Sequence, residues 1–173
     1  MSDQPSCLTV AHDSGGPTAH FEYLAYCDGS CDQTISKVMG VGAIVINVQS
    51  LERIERMLPI AKVGTNNLAE LYAIKASLAT VPKDYRPKTS IIIHTDSEYA
   101  IGVLSGVKRA KDNLAAVAMV QRMILQFRMV TFMKVKGHSG HKGNHRADIL
   151  AGNAMRSAKT LLHSKQDQNA ILS

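Results

Sequence analysis

Apolar runs separated by turn residues predict five β-strands along the chain of 173 residues. The clearest is SIIIHTD at 90–96, because a continuous β-branched run is typical of a strand buried on both faces of a sheet. Aromatic, branched and small apolar residues also favour strands at 21–30, 40–48 and 129–136. The first and the clearest of these runs each reach an aspartate where they end, so carboxylates mark two strand ends.

The segment at 51–62 fits both a helix and a strand. Several of its apolar residues recur at helical spacing, whereas Ile54, Arg56, Leu58 and Ile60 give the alternation of a strand with one mismatch at Arg56. The short turn before the segment and Pro59 within it favour a strand at the edge of a sheet, where a missing N–H is tolerated. We therefore expect the fifth strand here.

Helical periodicity predicts four helices, at 68–81, 97–104, 114–127 and 145–162. In the first helix, Glu70 continues an apolar stripe that includes Ile74 and Leu78. A carboxylate on a packing face requires a partner or a function, because burying an unpaired charge is costly. The order of elements predicts an α/β fold in which helices pack on a mixed sheet.

Size and composition indicate one folded domain at 21–162, preceded by a flexible leader at 1–20 and followed by a frayed polar tail at 163–173. No apolar run is long enough to cross a bilayer, and residues 1–20 contain no Lys or Arg, so we expect a cytoplasmic or nuclear protein. The three cysteines are expected to be reduced and structural. A net charge of +6 suits a polyanionic partner.

Four carboxylates stand at positions that a fold of this kind can bring together. Asp28 and Asp96 lie at the ends of predicted strands, where α/β sheets bind ligands, and Glu70 and Asp148 lie in first turns of predicted helices. Each alone is more often a cap or a surface residue. Packed around one point, however, the four would repel one another unless hard cations such as Mg²⁺ or Mn²⁺ neutralised them.

Four ordered motifs resemble those of type 1 ribonuclease H, and the resemblance spans about 21–162. They are YCDGS at 26–30, TNNLAEL at 65–71, HTDS at 94–97, and VKGHSGH followed by NHRAD between 135 and 148. The resemblance implies a mixed five-stranded sheet of the ribonuclease H type with helices on both faces. It also implies an endonuclease that cuts the RNA strand of RNA/DNA hybrids and leaves 5′-phosphate and 3′-hydroxyl ends.

Carried over position by position, the resemblance makes Asp28, Glu70, Asp96 and Asp148 the metal ligands. They would hold two Mg²⁺ ions, with Mn²⁺ as a substitute, and Asp28 would bridge both. Two such cations can lower the pKa of an attacking water and stabilise the leaving oxygen. His138 matches the family's catalytic-loop histidine, which is thought to help proton movement or the release of product and metal.

The resemblance also implies a set of substrate-binding residues: Gly29, Ser30, Thr65, Asn66, Asn67, Ser97 and Asn144. Residues 65–67 open a helix whose N–H groups can meet a phosphate. The glycine and serine at 29–30 would let the backbone approach RNA 2′-hydroxyls. The expected partner is an RNA/DNA hybrid and not a membrane, and we expect a monomer.

The chain also departs from its bacterial relatives. Many of them insert a basic, tryptophan-bearing protrusion before the histidine loop, whereas this chain has no Trp. Lys108, Arg109 and Lys111 offer a partial substitute, and we expect a weaker grip on the hybrid, greater salt sensitivity or a preference for Mn²⁺. Glu98 stands where relatives often have a neutral amide.

One alternative concerns metal binding by histidines. His138, His141 and His145 have a spacing that a zinc cluster could use. No cysteine accompanies them and carboxylates dominate the proposed centre, so oxygen-ligated Mg²⁺ or Mn²⁺ is favoured.

Two other functions remain open. A resolvase- or transposase-like DNA nuclease would share the acidic cluster, although the motifs at 65–67 and 136–138 argue against it. A catalytically silent hybrid-binding module is the other, and the complete carboxylate quartet argues against that.

Overall fold

The computed structural model describes the backbone of residues 7–11, 22–136 and 142–171, with side chains from 22 to 136 and from 142 to 164. Its strands are β1 (Cys7–Ala11), β2 (Tyr23–Cys31), β3 (Met39–Asn47), β4 (Arg53–Ile60), β5 (Ser90–Thr95) and β6 (Met129–Lys134). Its α-helices are α1 (Asn66–Thr80), α2 (Glu98–Leu104), α3 (Leu114–Ile124) and α4 (Lys142–Ile171), and a 3₁₀ helix spans Lys83–Lys88.

The strands form one mixed sheet in the order β1-β6-β5-β2-β3-β4. Strand β5 pairs in parallel with both β2 and β6, whereas β2, β3 and β4 form an antiparallel meander. All five predicted strands are present. The ambiguous segment is β4 at the sheet edge, where Pro59 pairs with Gly40, so the strand interpretation is confirmed.

The expected flexible leader is wrong for Cys7–Ala11, which form the sixth strand. This strand pairs antiparallel with β6 in a register that runs from Cys7 opposite Met133 to Ala11 opposite Met129. Five residues are too few for a periodic pattern, and what orders them is the open edge of β6. The remainder of the predicted leader lies outside the described residues.

The expected fraying of the tail is wrong for residues 163–171, because α4 continues through them. No Gly or Pro interrupts this stretch, and its Lys, Gln and Ala residues are good helix formers. The helix therefore persists without an apolar stripe. It also begins before the predicted start at His145, so Asn144 lies inside the helix.

Helices cover both faces of the sheet, as predicted. Val41 and Ala43 on β3 belong to the core shared with α1 and α3. Gly40 and Gly42 point to the other face, where α4 packs so closely that a Cβ on Gly42 would lie 2.1 Å from the Ala147 carbonyl oxygen. These glycines set α4 directly on the sheet, beside the end of β2.

Cys27 and Cys31 are free and buried, as expected for structural thiols. Among the described residues, the helices include none that is both long enough and apolar enough to span a membrane.

Candidate active site

The carboxyl ends of β2 and β5 meet because these strands are parallel neighbours, with Tyr26 opposite His94. Asp28 follows Tyr26 on the same face of β2, and Asp96 comes directly after β5. Asp28, Glu70 and Asp96 each offer an oxygen that lies within 4.8 Å of the oxygens from the other two. The structure thus brings together three of the four predicted carboxylates in a group that could hold a metal ion.

Gly29 allows Glu70 to reach this group from α1. A Cβ at Gly29 would lie 2.3 Å from both the Ala69 carbonyl carbon and the Glu70 backbone nitrogen. No larger residue fits there without moving the helix. The Gly29 backbone N–H also hydrogen-bonds to Asp28 and Glu70, which favours their ionised forms.

The fourth carboxylate, Asp148, comes from the first turns of α4. It lines a cavity of about 60 Å³ together with Asp28, Asp96, Asn144 and His145. Binding sites for organic ligands are several times larger, roughly 300 Å³ or more. A polar space of this size suits ions with a few waters.

Crowding raises the pKa values of the two most enclosed carboxyl groups. Burial is the main cause for Glu70, whose pKa is also raised by the negative charges of Asp28 and Asp96. Burial likewise raises the pKa of Asp28, with smaller contributions from Asp96 and Asp148. A bound cation would reverse this effect, because it favours the ionised carboxylates.

Two buried oxygens in this region lack a hydrogen-bond partner among the described residues. They are Oε2 of Glu70 and Oδ1 of Asn144, whose side chain is only 6% exposed. Unpaired buried oxygens beside carboxylates are what a hard cation or its waters would satisfy. The residues present therefore fit a divalent metal site.

The predicted phosphate-binding residues form a second group at the start of α1. Thr65 caps the helix by accepting a hydrogen bond from the Leu68 backbone N–H at 3.2 Å. The side-chain oxygen of Asn66 accepts from the Cys31 backbone N–H at 3.1 Å, which ties the helix to the end of β2. These residues line a groove of about 350 Å³, together with Cys31, Gln33, Lys37, Gly64 and Asn67.

The other residues predicted to contact substrate lie in three different parts of the structure. Ser97 caps α2 by accepting from the Ala100 backbone N–H at 3.2 Å. Ser30 is half-buried in β2, and Asn144 lies in the carboxylate cavity and not in the groove at the start of α1. His138 falls outside the described residues, as does His141 of the alternative zinc cluster, so both placements stay predictions.

Sequence reasoning missed the partner of Arg146. Its guanidinium binds both carboxylate oxygens of Glu55 on β4 at 2.7 to 3.2 Å, so it is engaged within the protein. No local pattern could have found this pair, because its members are 91 residues apart. Glu98 likewise pairs with Lys134 on β6, and this pairing lowers the pKa of Glu98.

Comparison with known proteins matches this chain to one family throughout the domain. The family model for RNase H matches residues 21–156. The chain is similar to a ribonuclease H of Chlorobium phaeobacteroides (strain DSM 266), with 30% identity over 148 residues that cover 77% of this chain and 94% of the relative.

Two solved structures have the same fold. The N-terminal RNase H domain of rv2228c from Mycobacterium tuberculosis, solved as a fusion with maltose-binding protein, superposes with a TM-score of 0.65 and 25% identity, covering 77% of this chain and 98% of that one. LC11-RNase H1, solved in complex with an RNA/DNA hybrid, gives a TM-score of 0.62 and 19% identity over 79% of this chain and 98% of its own. With the matching family model and the acidic centre, these likenesses show that the chain belongs to the ribonuclease H family and is a nuclease.

Proposed function

We propose that the protein is an endoribonuclease that hydrolyses the RNA strand of RNA/DNA hybrids and leaves 5′-phosphate and 3′-hydroxyl ends. The observation that carries the proposal is the convergence of Asp28, Glu70 and Asp96 within 4.8 Å, beside a cavity that Asp148 also lines. A centre with this much negative charge serves binding to a phosphate backbone poorly unless cations are part of it. Family membership supplies the reaction class.

In this proposal, Asp28, Glu70, Asp96 and Asp148 hold two divalent ions, Mg²⁺ or, as a substitute, Mn²⁺. When bound, such ions lower the pKa of a water and neutralise the charge that develops on the leaving 3′ oxygen. The chain's own contribution is to hold the carboxylates in place, and the bound ions would favour their ionised forms. The Gly29 N–H assists ionisation, and close packing of α1 on β2 fixes Glu70.

Hybrid binding is assigned to the groove between the end of β2 and the start of α1. Helix N-termini present unpaired N–H groups that favour phosphate, and Lys37 adds positive charge to the same groove. Ser30 and Gly29 lie between this groove and the carboxylates, where they are suited to meet the RNA strand. The hybrid bound to LC11-RNase H1, a protein of the same fold, supports this substrate.

The decisive experiment uses a hybrid whose RNA strand is labelled at its 5′ end, incubated with the protein in Mg²⁺ or Mn²⁺. We expect cleavage of the hybrid but not of duplex RNA or duplex DNA, and loss of cleavage in Asp28→Asn. Cleavage of duplex DNA instead would point to a DNA nuclease on this fold. Hybrid binding without turnover in either metal would identify a binding module.

The end chemistry is tested on the same products. A labelled 5′ fragment that ends in a 3′-hydroxyl is extended by a template-independent RNA polymerase, whereas a 3′-phosphate blocks extension until phosphatase removes it. We expect extension without phosphatase. Products that require phosphatase would contradict a reaction in which water attacks and the 3′ oxygen leaves.

A further inference from the structure

The first turns of α4 place an imidazole at the carboxylate cavity. His145 lines this cavity, and it precedes Asp148 by three positions, which puts the two side chains on neighbouring parts of one helix face. His145 is exposed and therefore accessible to an incoming ion. The predicted carboxylate ligands and the predicted substrate contacts do not include it, and the sequence named it only in the alternative zinc cluster with His138 and His141.

Among the described residues, no Lys or Arg side chain lines this cavity. Arg146, the next residue, binds Glu55 on β4 at 2.7 to 3.2 Å. The described residues that line the cavity are three aspartates, one asparagine and the imidazole. Asn144 is 6% exposed and its Oδ1 has no partner among the described residues, so a second, neutral donor also faces the cavity.

The mixture of donors has a chemical consequence. Mg²⁺ prefers oxygen ligands and keeps several waters, whereas imidazole nitrogen favours later first-row ions such as Co²⁺, Ni²⁺ and Zn²⁺. We infer that His145 supplies a nitrogen ligand beside Asp148 and so raises the affinity of the centre for these transition-metal ions over Mg²⁺. This inference rests on the proposed metal-dependent function and adds a residue that sets metal preference.

The first test measures metal affinity by calorimetry on the protein without nucleic acid. In His145→Asn we expect Co²⁺ binding to weaken roughly tenfold or more, and Mg²⁺ binding to stay within about twofold of the original. His163→Asn, an exposed histidine further along the same helix, is the matched control and should change neither. Thermal unfolding of each variant shows whether the fold is intact.

The second test detects the nitrogen directly. Pulsed electron paramagnetic resonance of bound Mn²⁺ should show nitrogen coupling in the original protein and in His163→Asn, and a reduced coupling in His145→Asn. Unchanged coupling, or equal weakening of Co²⁺ and Mg²⁺, would overturn the inference. Weaker hybrid binding with unchanged metal affinities would also overturn it and would make His145 a phosphate contact.

These measurements separate the inference from the proposed function. Co²⁺ binding that does not depend on His145, together with hybrid cleavage, would reject the inference alone. Nitrogen coupling from His145 without hybrid cleavage would reject the proposed function alone. Failure of the protein to bind any of these ions would reject both.

Discussion

At the scale of single residues, Glu70 shows how the carboxylate centre lowers the stability of the folded protein when no cation is bound. Burial and the nearby charges of Asp28 and Asp96 raise its pKa in the folded protein above that of an ordinary carboxyl group. A raised folded pKa contributes stability below the unfolded pKa, near 4, and loses it as the pH rises through the folded value. The metal-free protein should therefore lose stability towards neutral and alkaline pH.

Replacing this carboxyl group by an amide tests that conclusion. In chelator at pH 8, the melting temperature of Glu70→Gln should be a few degrees higher than that of the original protein. This shift corresponds to a gain of about 1–2 kcal/mol in the free energy of unfolding, and it should vanish near pH 4. Activity in metal should be lost. Calorimetry at both pH values measures this, with Glu52→Gln on an exposed turn as the control. Equal melting temperatures at pH 8 would contradict the argument.

Gly29 is a second residue on which the geometry of the site depends. Gly29→Ala should destabilise the protein by about 1–3 kcal/mol, because the new Cβ overlaps the Ala69 and Glu70 backbone. Turnover should fall as well, since α1 must move and take Glu70 with it. Denaturant unfolding and hybrid cleavage are the measurements.

Gly152→Ala is the matched control for this substitution. Gly152 lies inside α4, and the nearest atom to an added Cβ there is 3.5 Å away. Helix propensity predicts a stabilisation of up to about 1 kcal/mol. If both alanine variants behaved alike, close packing at Gly29 would not be what positions the helix.

At the scale of elements, α4 is attached to the sheet by ion pairs as well as by glycine contacts. Arg146 binds Glu55 near the active site, and Lys159 lies 3.3 Å from Asp32 in the loop after β2. Hydroxyl groups of Thr34 and Ser36 also bind Asp32, and this hydrogen bonding is the main reason that its pKa is lowered. The loop and the helix thus hold each other in place.

The lowered pKa of Asp32 gives a pH dependence opposite in sign to that of Glu70. Its stabilisation is complete above the ordinary carboxyl pKa, near 4, and is lost as the pH falls through the lower folded value. Asp32→Asn should therefore melt at a lower temperature than the original protein at pH 7. The difference between the two melting temperatures should become smaller as the pH falls. Asp112→Asn, at an exposed position, is the control for thermal melts between pH 2 and 7. A gap that is constant with pH would mean that charge is not the cause.

At the scale of the whole molecule, the net charge of +6 governs the encounter with a polyanion. Part of this charge lies in the loop between α2 and α3, where Lys108, Arg109 and Lys111 are all exposed. Salt dependence reports how many such residues meet phosphate, because each contact releases counterions. The loop is the candidate substitute for a protrusion that this chain does not have.

We predict that replacing these three residues with serine makes the slope of log affinity for a hybrid against log salt shallower by about 2 to 3. The same change at Lys83 and Lys88, in the 3₁₀ helix before β5, should leave the slope unaltered. Fluorescence anisotropy with Asp28→Asn as background avoids cleavage during the titration. Parallel slopes for all variants would exclude this loop from the phosphate contacts.

Most of the strands and helices, and several of the carboxylates of the candidate site, could be predicted because they depend on local chemistry. Buried strands such as β5 show continuous apolar runs, and Pro59 marks an edge, whatever the rest of the chain does. The aspartates at 28 and 96 could be placed at one sheet edge because parallel strands end together. The position of Glu70 within an apolar stripe likewise indicated a carboxylate with a function.

The sequence by itself therefore determined the order of the strands and helices, the acidic residues at their ends and, through its motifs, the family. Only the tertiary structure decided that Cys7–Ala11 complete the sheet, that Gly29 brings Glu70 to Asp28, and that Arg146 pairs with Glu55. The physical reason is separation along the chain. An open strand edge, a close approach between two backbones and an ion pair each need partners that no neighbouring residue specifies.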